Sequence, residues 1–126
     1  MPVFQVEEVQ TPEPVILASQ NAVLPQPEHS ESVVEILKQY DWNAEIAHLV
    51  ILAESGGKNT AHNPEWHSGC QGSFGLFQIG CVNYAGDPND LYIPRINIEM
   101  AYKIYKTQGA RAWGVCTNGS VDCTHW

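Results

Sequence analysis

The sequence predicts a single mainly α domain of four to five short helices with a small irregular β or loop wing, behind an acidic N-terminal segment. Three observations predict this. Apolar residues recur at helical spacing in several stretches between residues 32 and 107. A run rich in Asn, His, Gly, Ser and Thr at residues 58–73 interrupts them. Before them, Pro2, Pro12, Pro14, Pro25 and Pro27 break any regular element in residues 1–30. A length of 126 residues suits one domain, and a hydrophobic content of 44% suits a folded one.

Taken in order, residues 1–31 read as an acidic, Pro-rich linker or disordered segment, and residues 32–126 as the folded domain. Val15–Leu17 could pair as a short strand. The first helix carries Val33, Val34, Ile36, Leu37 and Tyr40 on one face, capped by Ser30 or Ser32. A second helix, capped by Asp41 or Asn43, runs through Ile46, Leu49, Val50 and Ala53 to Glu54, where Gly56-Gly57 stops it. Residues 58–73 are loop or irregular β. Gly75–Ile79 reads as a helix start, and Asp87, Pro88, Asn89 and Asp90 as a turn. A last helix spans Pro94 to Thr107, with Ile98, Ala101, Tyr102 and Tyr105 on one stripe, and Gly109 ends it. Residues 113–126 read as loop.

Charge excludes some partners. Glu7, Glu8, Glu13, Glu28 and Glu31 face no Lys or Arg in residues 1–31, so the formal net charge of −8 belongs largely to that segment. No basic patch follows any predicted helix, which argues against nucleic acid. No apolar run approaches the roughly 18–20 residues that span a bilayer. Pro14–Ala18 is too short for an export-signal core and lacks a basic flank. Cys70, Cys81, Cys116 and Cys123 show no CxxC spacing, so structural zinc is not expected. An even cysteine count in a small domain favours two disulfides and an oxidising compartment. Of the three pairings, Cys70–Cys81 with Cys116–Cys123 is preferred, because each closes a short Gly-containing loop. Four free thiols in a cytosolic protein is the alternative.

Glu54 is out of place. It lies eight residues after Ile46 and four after Val50, on their inward face at the last turn of the helix. Burial disfavours its charged form, and the negative end of the helix dipole repels an anion there. Both effects raise its pKa, and a carboxyl protonated near neutrality can act as a general acid. The competing reading is a helix-end Glu swung into solvent or paired with Lys58.

The order of motifs supports the acid. Glu54-Ser55-Gly56, followed by Gly72-Ser73-Phe74-Gly75-Leu76-Phe77-Gln78-Ile79, resembles the lysozyme superfamily, and more narrowly its soluble lytic transglycosylase and goose-type branch. Asn97, within Arg95-Ile96-Asn97-Ile98-Glu99, resembles that branch's third block, and the likeness covers residues 42–113. The resemblance implies a lysozyme-like α+β fold and an enzyme that cleaves the β-1,4 bond between N-acetylmuramic acid and N-acetylglucosamine in bacterial peptidoglycan. It implies Glu54 as general acid and then base, Gln78 as a hydrogen-bonding group in the cleft, Leu76 and Phe77 as core beneath it, and Ser55 as support for the helix end or for Glu54's hydrogen bonding. In chicken-type lysozymes the position of Ser73 holds a second carboxylate, which the retaining mechanism needs about 5 Å from the first. Ser73 suits lytic transglycosylation, in which the substrate's own acetamido or 6-hydroxyl group acts as nucleophile and a 1,6-anhydromuramoyl product forms. A hydrolytic muramidase using a water held by Ser73 and a distant Asp87 or Asp90 is the alternative, as is a silent member of the fold that binds wall glycan or serves a larger assembly.

One departure stands out. The branch usually carries an Ala-Tyr-Asn block whose Tyr contacts the catalytic Glu, and here Ala110–Gly119 holds no Tyr. Trp113 is expected to wall the cleft, with Tyr84 or Tyr105 taking over the contact. Ser73, Gln78, Tyr84 and Trp113 are thus the expected substrate-binding residues. Trp66, in a loop opposite the expected cleft, and Trp113 could stack on sugar rings, with core packing the alternative for Trp113. His62, His67 and Glu65 fit no trusted zinc spacing and read as a solvated loop. Trp126 reads as a surface cover. No cofactor or metal is expected, and the chain is expected to act as an extracytoplasmic monomer on glycan strands.

Overall fold

A computed structural model describes residues 31–67 and 69–126. Most of the expected linker, the Val15–Leu17 strand and the Ser30 cap lie outside them. The fold is α+β: among the described residues there are four helices and a three-stranded antiparallel sheet. Helix α1 (Val33–Leu37) buries Ile36 and Leu37 and leaves Val34 exposed. Of the two candidate caps for α2 (Ala44–Ser55), Asn43 is the one used. Its side chain accepts from the Glu45 and Ile46 amides at 3.0 and 3.3 Å. At the other end Gly56, at φ 66°, returns its N–H to Leu52 O. The buried face of α2 is Ala47, Val50, Ile51 and Ser55, while Leu49 and Ala53, expected inward, face out. The helix packs on α1 and on α4 (Gly114–Thr117), and those contacts select the face.

The polar run folds as a hairpin. Strands β1 (His62–His67), β2 (Cys70–Phe74) and β3 (Ile79–Gly80) pair in that order, with a bulge in β1 between Asn63 and Trp66. Gly75–Ile79 does not start a helix. It makes a tight turn, closed by the Gln78 amide on Gly75 O at 3.1 Å, and then enters β3. Gly75 and Gln78 both sit at positive φ, 78° and 51°, which a right-handed helix excludes. A Cβ at Gly75 would overlap Leu91 O and the Asn97 amide. Leu76 and Phe77 lie at the centre of the core, with Leu37, Val50, Ile51, Ile79, Leu91 and Ile98.

Beyond the sheet come two 3-10 turns, Cys81–Asn83 and Pro88–Tyr92; Asp87 caps the second by accepting from Asn89 N at 2.9 Å. Helix α3 (Pro94–Gln108) buries Asn97, Ile98 and Ala101 and ends at Gly109. Its Tyr102 and Tyr105 are half-buried. The segment expected as loop holds α4, preceded by a 3-10 turn at Ala110–Ala112. Trp126 is not a surface cover. Its ring packs on Trp42, Phe77, Tyr105 and Trp113, and its carbonyl accepts from the Tyr105 hydroxyl at 2.7 Å.

Cys70–Cys81 and Cys116–Cys123 are bonded, the preferred pairing. Cys70–Cys81 ties the start of β2 to the first 3-10 turn across a sequence separation of 11. Closing a loop of this size restricts the unfolded chain by about 3 kcal/mol. Replacing both residues by Ser is therefore expected to lower the urea-unfolding free energy by about 2–3 kcal/mol, and an unchanged midpoint would count against the bond as a stabilising link.

Candidate active site

The cleft lies between the sheet and the helical layer and measures about 320 Å³. Glu54 reaches it from the last turn of α2. Asn63, Ser73 and Gly80 stand side by side across β1, β2 and β3 and form its sheet wall. Gln78 enters from the turn, Ile104 and Gln108 from α3, and Trp113 from just ahead of α4.

Glu54 is half-buried, and among the described residues no group hydrogen-bonds or ion-pairs with its carboxyl. Lys58 does not pair with it. Burial pushes its pKa above the ordinary 4.5. An unpartnered carboxyl at the negative end of a helix has nothing to hold its proton off. Ser55 does not touch it. The Ser55 hydroxyl donates to Ile51 O at 3.0 Å and accepts from Gly57 N at 3.2 Å, which secures the helix end that carries Glu54. Among the described residues that line the cleft, Glu54 is the one carboxylate. Asp87 and Asp90 are engaged elsewhere, in the cap of the 3-10 turn and with the Tyr84 hydroxyl.

Gln78 is fixed before any ligand arrives. Its side-chain N–H groups donate to Gly75 O at 2.9 Å and Ala61 O at 3.2 Å. That leaves Oε1 as the acceptor it can offer to the cleft. Its left-handed backbone is the kind of local strain that surrounding structure must hold in place. Asn97 holds it from behind. Wholly buried, Asn97 accepts from Phe77 N at 2.9 Å and donates to Phe74 O at 2.8 Å and Leu91 O at 2.9 Å. The third sequence block thus pins the second.

Trp113 belongs to the core and borders the cleft. It is 4% exposed, donates from Nε1 to Phe77 O at 3.0 Å, and packs against Phe77 and Trp126. Tyr84 does not line the cleft: its hydroxyl donates to Asp90 Oδ2 at 2.9 Å, beside the 3-10 turn. Tyr105 is equally removed, bonded to Trp126 O. Neither tyrosine approaches the role of the absent one. His62 stacks on Phe74, with ring centroids 4.4 Å apart, and its Nε2 meets Gln71 O at 3.2 Å. Among the described residues no cluster of three His, Cys, Asp or Glu side chains could hold a metal ion.

Asn63, Asn83, Gln108 and Ile104 also line the cleft, and the sequence did not single them out. Asn63 owes its place to standing opposite Ser73, which only the strand register reveals. Nothing in the sequence distinguishes Gln108 from any polar residue at a helix end.

The family model described as "Lysozyme like domain" matches residues 38–115, a span that contains every cleft residue named above. No curated protein and no solved structure matches the chain.

Proposed function

This chain belongs to the lysozyme-like domain family, and on that premise we propose that it cleaves the β-1,4 bond between N-acetylmuramic acid and N-acetylglucosamine in peptidoglycan by lytic transglycosylation. Membership supports a glycosidase-type function connected with peptidoglycan. The observation that carries the finer reading is one half-buried carboxyl, unpartnered among the described residues, in a cleft that no second described carboxylate lines.

Glu54 in its protonated form donates to the glycosidic oxygen as the C1–O bond breaks, and the N-acetylglucosamine side leaves with that proton. The muramoyl 6-hydroxyl then bonds to C1 and gives its proton back to the Glu54 carboxylate. Water takes no part, and the product is a 1,6-anhydro ring. Ser73 and Gln78 Oε1 hold the sugar's polar groups. Trp113 supplies an apolar wall against the ring's C–H surface.

The two disulfides and the peptidoglycan-related domain support an extracytoplasmic location, secreted, periplasmic or in the envelope. Among the described residues no helix is long and apolar enough to cross a membrane. We take the acting species to be a monomer.

The test is a paired assay on purified walls. The protein should clear their turbidity while releasing no new reducing ends, because the anhydro ring occupies C1. Clearing that releases reducing ends in proportion would favour a hydrolase. Failure to clear, with retained wall binding, would favour the silent member of the fold.

A further inference from the structure

Ten glycines lie in the chain, and the fold explains eight of them. Seven sit at positive φ, a region that residues with a side chain rarely adopt. The eighth, Gly86, would set a Cβ 2.8 Å from the Tyr84 ring. Gly80 and Gly114 are left over. Both line the cleft.

Neither position needs glycine for its backbone. Gly80, at φ −66° and ψ 133°, has an extended backbone open to any residue. Gly114 is the first residue of α4, where the backbone is helical. Neither position needs glycine for its neighbours. A Cβ at Gly80 would meet Asn83 Nδ2 at 3.6 Å and Val82 Cγ2 at 3.7 Å, ordinary contact with two residues that line the cleft themselves. A Cβ at Gly114 would meet nothing within 4 Å. Alanine at a compatible glycine position stabilises a protein by restricting the unfolded chain. The fold would therefore gain from a methyl group at either place.

The direction of the missing groups gives their absence a use. Gly80 stands opposite Ser73, which stands opposite Asn63, so a Cβ on Gly80 would project from the same face as those two cleft side chains. Gly114 lies in the helical layer, directly after Trp113, on the helix that packs against the one bearing Glu54. Bare backbone thus meets the cleft on both of its walls. A Cβ at each would take about 1.5 Å from the room open to a sugar.

We infer that Gly80 and Gly114 set the width of the cleft, and that their bare backbone admits an N-acetylated pyranose ring beside Glu54. The inference rests on the function proposed above and adds two specificity-determining residues to it.

The test uses soluble glycan strands released from purified walls. Binding is read by calorimetry in a Glu54→Gln parent, and cleavage in the wild-type background. Gly80→Ala and Gly114→Ala are each expected to weaken binding and raise KM by about tenfold, with kcat changed by less than about twofold. Gly80→Val should weaken binding further, by about a hundredfold. Both alanine variants should melt at or above the wild-type temperature. Alanine variants that bind and cleave like the wild type would overturn this inference and leave the function standing. Weaker binding that comes with a lower melting temperature would also overturn it, because the glycines would then serve the fold. A wild type that binds strands without cleaving them would overturn the function alone, and the binding series in the parent should still fall as stated.

Discussion

Glu54→Gln is expected to lower the rate of wall cleavage by about a thousandfold, because the amide keeps the shape of the side chain but cannot deliver the proton. The same substitution should change the pH dependence of stability. Burial holds the Glu54 pKa above 4.5 in the folded chain. The folded state therefore binds more proton than the unfolded state between the ordinary and the raised value. The sign follows: the wild type loses stability as pH rises through that window, and Glu54→Gln, which has no proton to lose, does not. The variant should match the wild type below about pH 4 and melt higher at pH 7. Activity carries the same signature, falling on the alkaline side as Glu54 gives up its proton. A variant that is inactive and also less stable at neutral pH would argue that Glu54 serves the fold and not the chemistry.

Asn97→Ala is expected to be the most destabilising single change. It removes partners from the Phe77 amide and from the Phe74 and Leu91 carbonyls, three groups that Asn97 meets in the buried interior. An unsatisfied buried polar group costs about 1–3 kcal/mol, so a loss of about 3–4 kcal/mol is expected overall. For a domain of this size that lowers the melting temperature by about 15 °C. Activity should fall even at temperatures where the variant is folded, because Asn97 holds the turn that presents Gln78. Thermal unfolding followed by circular dichroism reads the first effect. A shift of only a degree or two would mean that water replaces the side chain and that the turn is held by something else.

The bounds of α2 and the place of Glu54 on it were legible in the sequence. Asn43 and Gly56 bracket α2 by ordinary capping chemistry, and Glu54 follows Val50 by one helical turn, so its approach to the interior could be read from spacing. The short separations within each cysteine pair pointed to the bonds that form. The inward face of α2 was harder. Ile46, Ala47, Leu49, Val50, Ile51, Leu52 and Ala53 make the helix apolar nearly all round, so periodicity cannot choose between Leu49 and Ile51, and packing on α1 and α4 does. The Gly75–Ile79 turn was misread for a non-local reason. Its apolar residues suit a helix, but Asn97, twenty residues after Phe77, takes the Phe77 amide, and the chain turns left-handed at Gln78. The partner of the Tyr84 hydroxyl, Asp90, is six residues on, a pairing that the sequence does not single out.

We propose that one carboxyl in this cleft completes the reaction with the substrate's own hydroxyl in place of water. Mass spectrometry of the muropeptides released from purified peptidoglycan tests it most directly, with Glu54→Gln as control. The account predicts products ending in 1,6-anhydromuramic acid, absent from the control digest. Products carrying one added water and a free reducing end would contradict it, and would favour a hydrolase in which Ser73 holds the attacking water.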